Sequence, residues 1–114
     1  MAKYECKLSG DYGELIGAID AGILRGSRSA THEYGSDFAR GNVRCAVRVY
    51  ERYSMIGSNR VSLNVTLFGE DREWFLSAIA SGGSQAVFFK INTFGEEAFL
   101  RRIVEIVAPY QQDT

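Results

Sequence analysis

His32, Cys6 and Cys45 are the chain's entire stock of imidazole and thiol side chains. A zinc-type centre needs three or four ligands at defined spacing, and one His with two distant Cys does not supply it. A nucleophile needs a positioned base. Glu33 adjoins His32, but neighbours on a strand point to opposite faces. A dyad on His32 would therefore need Cys6, Cys45 or Asp37 brought in from elsewhere, and the sequence names no such partner. Glu70-Asp71 and Glu96-Glu97 fall in a predicted turn and at a predicted helix start, where carboxylates complement the helix dipole. Ser81-Gly82-Gly83-Ser84 leads into QAVFFKI, which reads as a strand, whereas a phosphate loop leads into a helix. These residues yield no catalytic set, no metal and no cofactor. The expectation is a non-enzymatic protein, with His32 exposed on an edge strand.

Two other groupings remain as candidate sites. Arg44, Arg48 and Arg52 recur at spacing four on one face of a strand, a platform suited to an anion or a nucleic acid. The chain carries 13 basic and 14 acidic side chains, so it lacks the basic excess of a nucleic-acid binder. The arginines are expected on a solvated outer face, with no nucleic-acid partner. The second grouping is aromatic and fills the last half of the chain. Trp74, Phe88, Phe89, Phe99 and Ile103 are the candidate lining of an apolar pocket between sheet and C-terminal helix. The competing role for these rings is a packed core plus a self-association surface. Phe88 and Phe89 are adjacent on a predicted strand, so they cannot both face the helix, and one needs another cover.

The elements that must position these residues follow from periodicity. Val43, Cys45, Val47 and Val49 alternate with Arg44, Ala46, Arg48 and Tyr50. Val61, Leu63, Val65 and Leu67 alternate with Ser62, Asn64, Thr66 and Phe68. Period two means strands with one buried face. Turn residues Ile56-Gly57-Ser58-Asn59 between them predict an antiparallel hairpin over 43–53 and 60–68. Placing the valines on the leucine face requires paired residue numbers that sum to 114. Further strands are expected at 3–8, 74–80 and 85–91, with a polar edge strand at 27–35 and a loop at 35–42. Asp11 with Glu14 forms a capping box for a helix over 11–25, whose stripe is Leu15, Ile16, Ile19 and Ile23. Gly13 and Gly17 are candidates for close packing there. Thr93 with Glu96 opens a second helix over 94–108, with Leu100, Ile103, Val104 and Val107 buried and Pro109 as its stop. Cys6 and Cys45 fall on the apolar faces of their strands.

The order β-α-β-β-β-β-β-α, with short turns and one Pro, gives one α+β domain over 1–114. It is an antiparallel sheet of five to six strands with two helices on one face. The segment MAKYECKLSGDYGEL has no signal-like apolar run, and no stretch approaches the ~18 apolar residues of a membrane helix. A cytoplasmic location with free thiols and no membrane partner is expected.

This element order resembles the helix-grip (START-like) architecture, in which a curved sheet wraps the last helix around an apolar cavity. The segments RCAVRVYERYSMIGSNRVSLNVTLFG and SGGSQAVFFKINTFGEEAFL resemble a small bacterial family of uncharacterised proteins, which brings no activity with it. Two functions are therefore expected from different classes. One is binding of an apolar small molecule under the C-terminal helix. The other is a structural or regulatory role in which the chain self-associates through its sheet as a homodimer.

Overall fold

Two-residue turns and strict alternation build the sheet. Arg40 pairs with Val43 around Gly41-Asn42, and Glu70 pairs with Glu73 around Asp71-Arg72. Gly41 and Asp71 take φ of 59° and 58°, the left-handed backbone that tight hairpins require. The computed structural model describes residues 1–26, 29–54, 59–82 and 89–112, the side chains of 54, 59 and 89–96 excepted. Its elements are β1 (Ala2–Ser9), α1 (Tyr12–Arg25), β2 (Thr31–Arg40), β3 (Val43–Ser54), β4 (Asn59–Glu70), β5 (Glu73–Gly82) and α2 (Phe89–Val107), followed by a 3-10 turn at Ala108–Tyr110. The five strands lie in the order β1-β5-β4-β3-β2, each antiparallel to its neighbour. Both helices pack on one face, which makes this an α+β fold.

Asp11 caps α1, its Oδ2 accepting from the Glu14 amide at 3.0 Å. Leu15, Ile19 and Ile23 are the buried stripe, with Ile16 at its margin. Close packing occurs at Gly22 rather than at Gly13 or Gly17. A Cβ on Gly22 would stand 2.5 Å from Ile106 of α2, whereas one on Gly17 would meet nothing within 4 Å. Among the described side chains of α2, Phe99, Ile103 and Val107 are fully buried, about one helical turn apart, while Leu100, Val104 and Ile106 pack at the edges.

Three expectations about local structure are corrected. Residues 35–40 are strand, because Tyr34–Arg40 of β2 pairs continuously with β3, beyond a register shift between His32 and Tyr34, despite its lack of alternation. Residues 89–91 are helix, not strand, so α2 begins earlier than 94 and Thr93 lies inside it rather than at its cap. The rest of the expected strand 85–91, Phe88 included, lies outside the described residues.

The fourth correction matters most. Residues paired across β3 and β4 sum to 113: Ala46 faces Leu67, Arg48 faces Val65, Tyr50 faces Leu63 and Arg52 faces Val61. A one-residue slip moves every side chain to the other face. Ala46 and Tyr50 therefore enter the core beside Val61, Leu63, Val65 and Leu67, all of them buried. Val43, Cys45, Val47 and Val49 face away from the helices and are half-buried. Cys6, on the helix side of β1 opposite Leu76, and Cys45 thus lie on opposite faces and are free thiols. The cause is the size and polarity of Tyr50. Its ring fills the space under α1, and its hydroxyl donates to Asp20 Oδ1 at 3.1 Å. No valine could fill that volume and satisfy α1 at once.

This register makes a paired prediction. Ala46→Asp buries an unpaired carboxylate and should destabilise by several kcal/mol. Val47→Asp, one residue along on the open face, should cost less than about 1 kcal/mol in dilute solution. Thermal melts of the two variants decide it, and the reverse ranking would restore the 114 register.

Candidate functional site

The three arginines share the helix-facing side of β3, not its solvent side. Each long apolar stem lies along the core margin while its head finds a partner. Arg44 donates to the carbonyls of Gly41 at 3.0 Å and Val43 at 3.2 Å. The Arg52 guanidinium lies over the Phe99 ring, 4.6 Å from its centroid, and burial lowers its pKa. Arg48, with only 14% of its side chain exposed, binds Asp37 of β2 at 2.9 Å. It also donates to the carbonyls of Val47 at 3.0 Å and Ser36 at 3.3 Å. Expected as an exposed row, these side chains are half-buried, and they tie β3 to β2 and α2.

Asp37 is the hinge of this arrangement. Tyr12, in the first turn of α1, donates to its Oδ1 at 3.1 Å, so one carboxylate joins α1, β2 and β3. The hydrogen bond from Arg48 holds the Asp37 carboxyl below its ordinary range. Burial works against the Arg48 cation, but the hydrogen bond and charge of Asp37 more than offset it. Burial first and Asp37 second raise the Tyr12 phenol. Tyr50 is raised further still, by burial and then by Asp20. Such phenols stay protonated and act as donors, which is a structural role. His32 is exposed on β2, its ring 5.4 Å from that of Tyr50. Burial raises the Cys6 thiol, which makes it a poor nucleophile. Among the described residues, no group of three or more His, Cys, Asp or Glu is placed to hold a metal.

Of the candidate pocket residues, Trp74, Phe99 and Ile103 all lie in the core. Trp74 donates its Nε1–H to the Gly10 carbonyl at 2.9 Å, and its ring centroid sits 5.2 Å from that of Tyr12. The Phe89 side chain and all of Phe88 lie outside the described residues. Trp74 also borders an open groove of about 440 Å³ at the β4–β5 turn end of the sheet, together with Lys7, Phe68, Phe75 and Gln112.

Sequence reasoning expected an open sheet face but placed the arginines on it and missed its rows of rings. The ladders align Phe38, Cys45, Phe68 and Phe75 in one row across β2, β3, β4 and β5, ending at Lys7 of β1. Phe38 is 64% exposed, Phe68 50% and Phe75 41%. Two rows away Tyr34, Val49, Asn64 and Ile79 align in the same manner, with Tyr34 and Ile79 exposed. The available signal was Phe68, assigned from the outset to the side opposite Leu67. Neither helix covers this face. At its far end Arg60 pairs with Glu51 at 3.0 Å and with Glu33 at 3.9 Å, a charged border to the apolar rows.

The chain belongs to a family of unknown function, DUF6054, whose model matches residues 1–111. No curated protein and no solved structure matches it. Among the described residues no helix is long and apolar enough to cross a membrane.

The Asp37 junction sets a pH dependence. A carboxyl whose folded pKa is depressed stabilises the fold above its unfolded value, 3.8, and that contribution is lost as pH falls through the folded value. Asp37 is more than half exposed, so solvent screening keeps the effect below about 1 kcal/mol. Asp37→Asn should lower the thermal midpoint at neutral pH. The gap to the parent chain should then shrink between about pH 5 and about pH 2. A gap that stays constant over that range would show that Asp37 titrates as a free carboxyl.

Proposed function

We propose that the chain is a non-enzymatic interaction protein that self-associates through the open face of its sheet. One observation carries this reading: Phe38, Phe68 and Phe75 stand exposed in one cross-strand row, with the half-buried valines of β3 beside them. Monomers rarely expose contiguous apolar patches beyond a few hundred Å². Five strands spaced about 4.8 Å apart, each about 30 Å long, make a face of roughly 700 Å² per copy, polar rows included. That is close to the ~800 Å² per partner of a standard stable interface. The titratable groups on the helix side are occupied in holding α1, β2 and β3 together, which leaves this face as the working surface.

A second reading is favoured by the groove of about 440 Å³ beside Phe68, Trp74 and Phe75. Its volume falls within the range of small-molecule sites, and its walls suit an apolar ligand. It shares Phe68 and Phe75 with the open face, so a docked copy would close over it.

Native mass spectrometry tests both readings at once. The expected result is a dimer whose population rises with concentration and that Phe68→Asp reduces by at least about tenfold in affinity while the thermal transition persists. A chain that stays monomeric to its solubility limit overturns the self-association reading. A monomer that carries a bound small molecule, lost on Phe75→Asp, would establish the groove instead.

A further inference from the structure

We propose that β1 also pairs edge to edge with β1 of a second copy, about a two-fold axis at Tyr4 that sets Lys3 of each copy opposite the partner's Glu5. This goes beyond the open-face reading and does not depend on it, because it uses a different part of the surface. β1 is an outer strand, and its 8 residues pair with β5 without a shift. The tail of the chain covers only the end of its other side. Gln111 bridges Leu8, and the Gln112 amide donates to the Lys7 carbonyl at 2.9 Å. That bond shows which backbone groups point outward. Alternation turns the N–H and C=O groups of Lys3 and Glu5 outward with those of Lys7. The Gly10 amide, in the other set, points inward to the Arg72 carbonyl. Among the described residues, no backbone group pairs with the outward groups of Lys3 and Glu5. Such an edge is a template for another strand.

Pairing β1 with the partner's β2 would be head to tail and would not close. β2 is also interrupted by the register shift between His32 and Tyr34, a device that blunts an edge. Two β1 edges close about an axis normal to the sheet and run antiparallel. Outward residues then meet outward residues, so paired numbers sum to an even value. A sum of 6 sets Lys3 on the partner's Lys3. A sum of 10 sets Glu5 on its copy and Lys3 on the partner's Lys7. A sum of 12 needs the Lys7 carbonyl and the edge beside Leu8, which Gln112 and Gln111 already occupy. Larger sums meet the tail as well, and smaller ones leave Glu5 without a partner. A sum of 8 sets Lys3 opposite Glu5 twice. Each such pair exchanges both backbone hydrogen bonds, so the outward groups of both residues are all used. Unlike charges directly opposite each other favour a ladder and like charges disfavour it.

The same register serves the helix side. Tyr4 meets the partner's Tyr4 at a pair without hydrogen bonds, where side chains approach most closely. Each Tyr4 borders a groove of about 320 Å³ between the β1 edge and α2, with Lys3, Glu97, Leu100, Arg101 and Val104. The axis merges the two grooves into one seam, which covers Leu100 and Val104, left half-buried by their own sheet. α2 runs along β1, from the groove at Lys3 and Tyr4 toward Gln111 at Leu8. Its copy therefore runs antiparallel across the seam. Glu97 and Arg101, about one turn apart, follow opposite orders on the two sides, the arrangement in which unlike charges face each other. The partner's Ala2 lies beside Cys6, end to end with Gln112 beside Lys7, and the ladder stops there. A ladder this short belongs with small, weak interfaces, so the pairing is read at high protein concentration.

The test is made in Phe68→Asp protein, which disables the open face and leaves β1 untouched. Sedimentation equilibrium should show a dimer at high concentration. Lys3→Glu and Glu5→Lys, each added alone, should weaken it by about three- to tenfold. An equal mixture of the two should associate more tightly than either, because every paired position then carries unlike charges. An independent measure adds Cys6→Ala and Cys45→Ala. Tyr4→Cys chains should then link to each other under mild oxidation with copper phenanthroline, and Glu5→Cys chains should not, since the two-residue offset is too long for a disulfide. Linking at Glu5→Cys instead of Tyr4→Cys, or a mixture no tighter than its components, overturns the proposal. Phe68→Asp protein that stays monomeric at every concentration overturns it too and leaves the open-face reading intact. A parent dimer that Phe68→Asp does not weaken, but that shows the mixing and linking results, supports the β1 pairing and overturns the open-face reading.

Discussion

The pairing of Tyr50 with Leu63 across β3 and β4 is the constraint from which the two unlike faces of this molecule follow. It fixes β3 so that Tyr50 stands under α1 and bonds Asp20. Once Tyr50 is inside, alternation places Arg44, Arg48 and Arg52 inside as well and sends Val43, Cys45, Val47 and Val49 outside. The fold accommodates the arginines because β3 lies next to the edge strand. Their heads reach backbone carbonyls, Asp37 and the Phe99 ring instead of the apolar centre. The open face has no comparable means of covering its valines, which lie there beside Ser62, Asn64 and Thr66 of the central strand.

The same register explains why so much polarity sits beside the core. Asp37 receives hydrogen bonds from Tyr12 of α1 and Arg48 of β3 while belonging to β2, an edge strand whose residues are all exposed. Without that junction β2 would be held by its ladder on β3 and little else. A partly buried charge pair contributes modestly to net stability, because desolvation offsets much of the attraction. Its geometry still specifies where α1 crosses the sheet, since no other register brings Tyr12, Asp37 and Arg48 into contact. Pairing of Gln111 with Leu8, and of the Gln112 amide with the Lys7 carbonyl, covers part of the opposite edge along β1.

The sequence made the elements legible wherever one face was unambiguous. Period-two leucines and valines gave β4, Asp11 and the isoleucines gave α1, and the two-helix, antiparallel α+β class followed. It failed where both faces of a segment compete for the core. On β3, Val-Cys-Val-Val opposes Arg-Ala-Arg-Tyr, and hydrophobicity alone chooses the valines. The deciding terms were the volume of Tyr50 and the hydroxyl acceptor on α1, both tertiary. On β2, polar residues with a Gly in the middle carry no period, so only the ladder on β3 shows the strand. At Phe89–Ile91 a run apolar on both sides suits a strand or a buried helix equally, and length decides in favour of helix. The candidate arginines were expected on the wrong face of β3, whereas Trp74, Phe99 and Ile103 do lie between sheet and helix, packed as core.

Exposed phenylalanines on an otherwise ordinary sheet are costly for a protein that has nothing to place against them. Surface valines, phenylalanines and a cysteine promote indiscriminate association, and sheets normally resist it with charges on the strands that others would reach first. Here the charges are arranged selectively. Lys3, Glu5 and Lys7 line one outer strand, Tyr34, Ser36 and Phe38 line the other, and the Arg60, Glu51 and Glu33 cluster closes one end. Specificity then comes from what the border forbids as much as from what the centre attracts. The physical consequence is a face whose exposed rings are bordered by a charged strand on one side, a neutral strand on the other and an ion-pair cluster at one end.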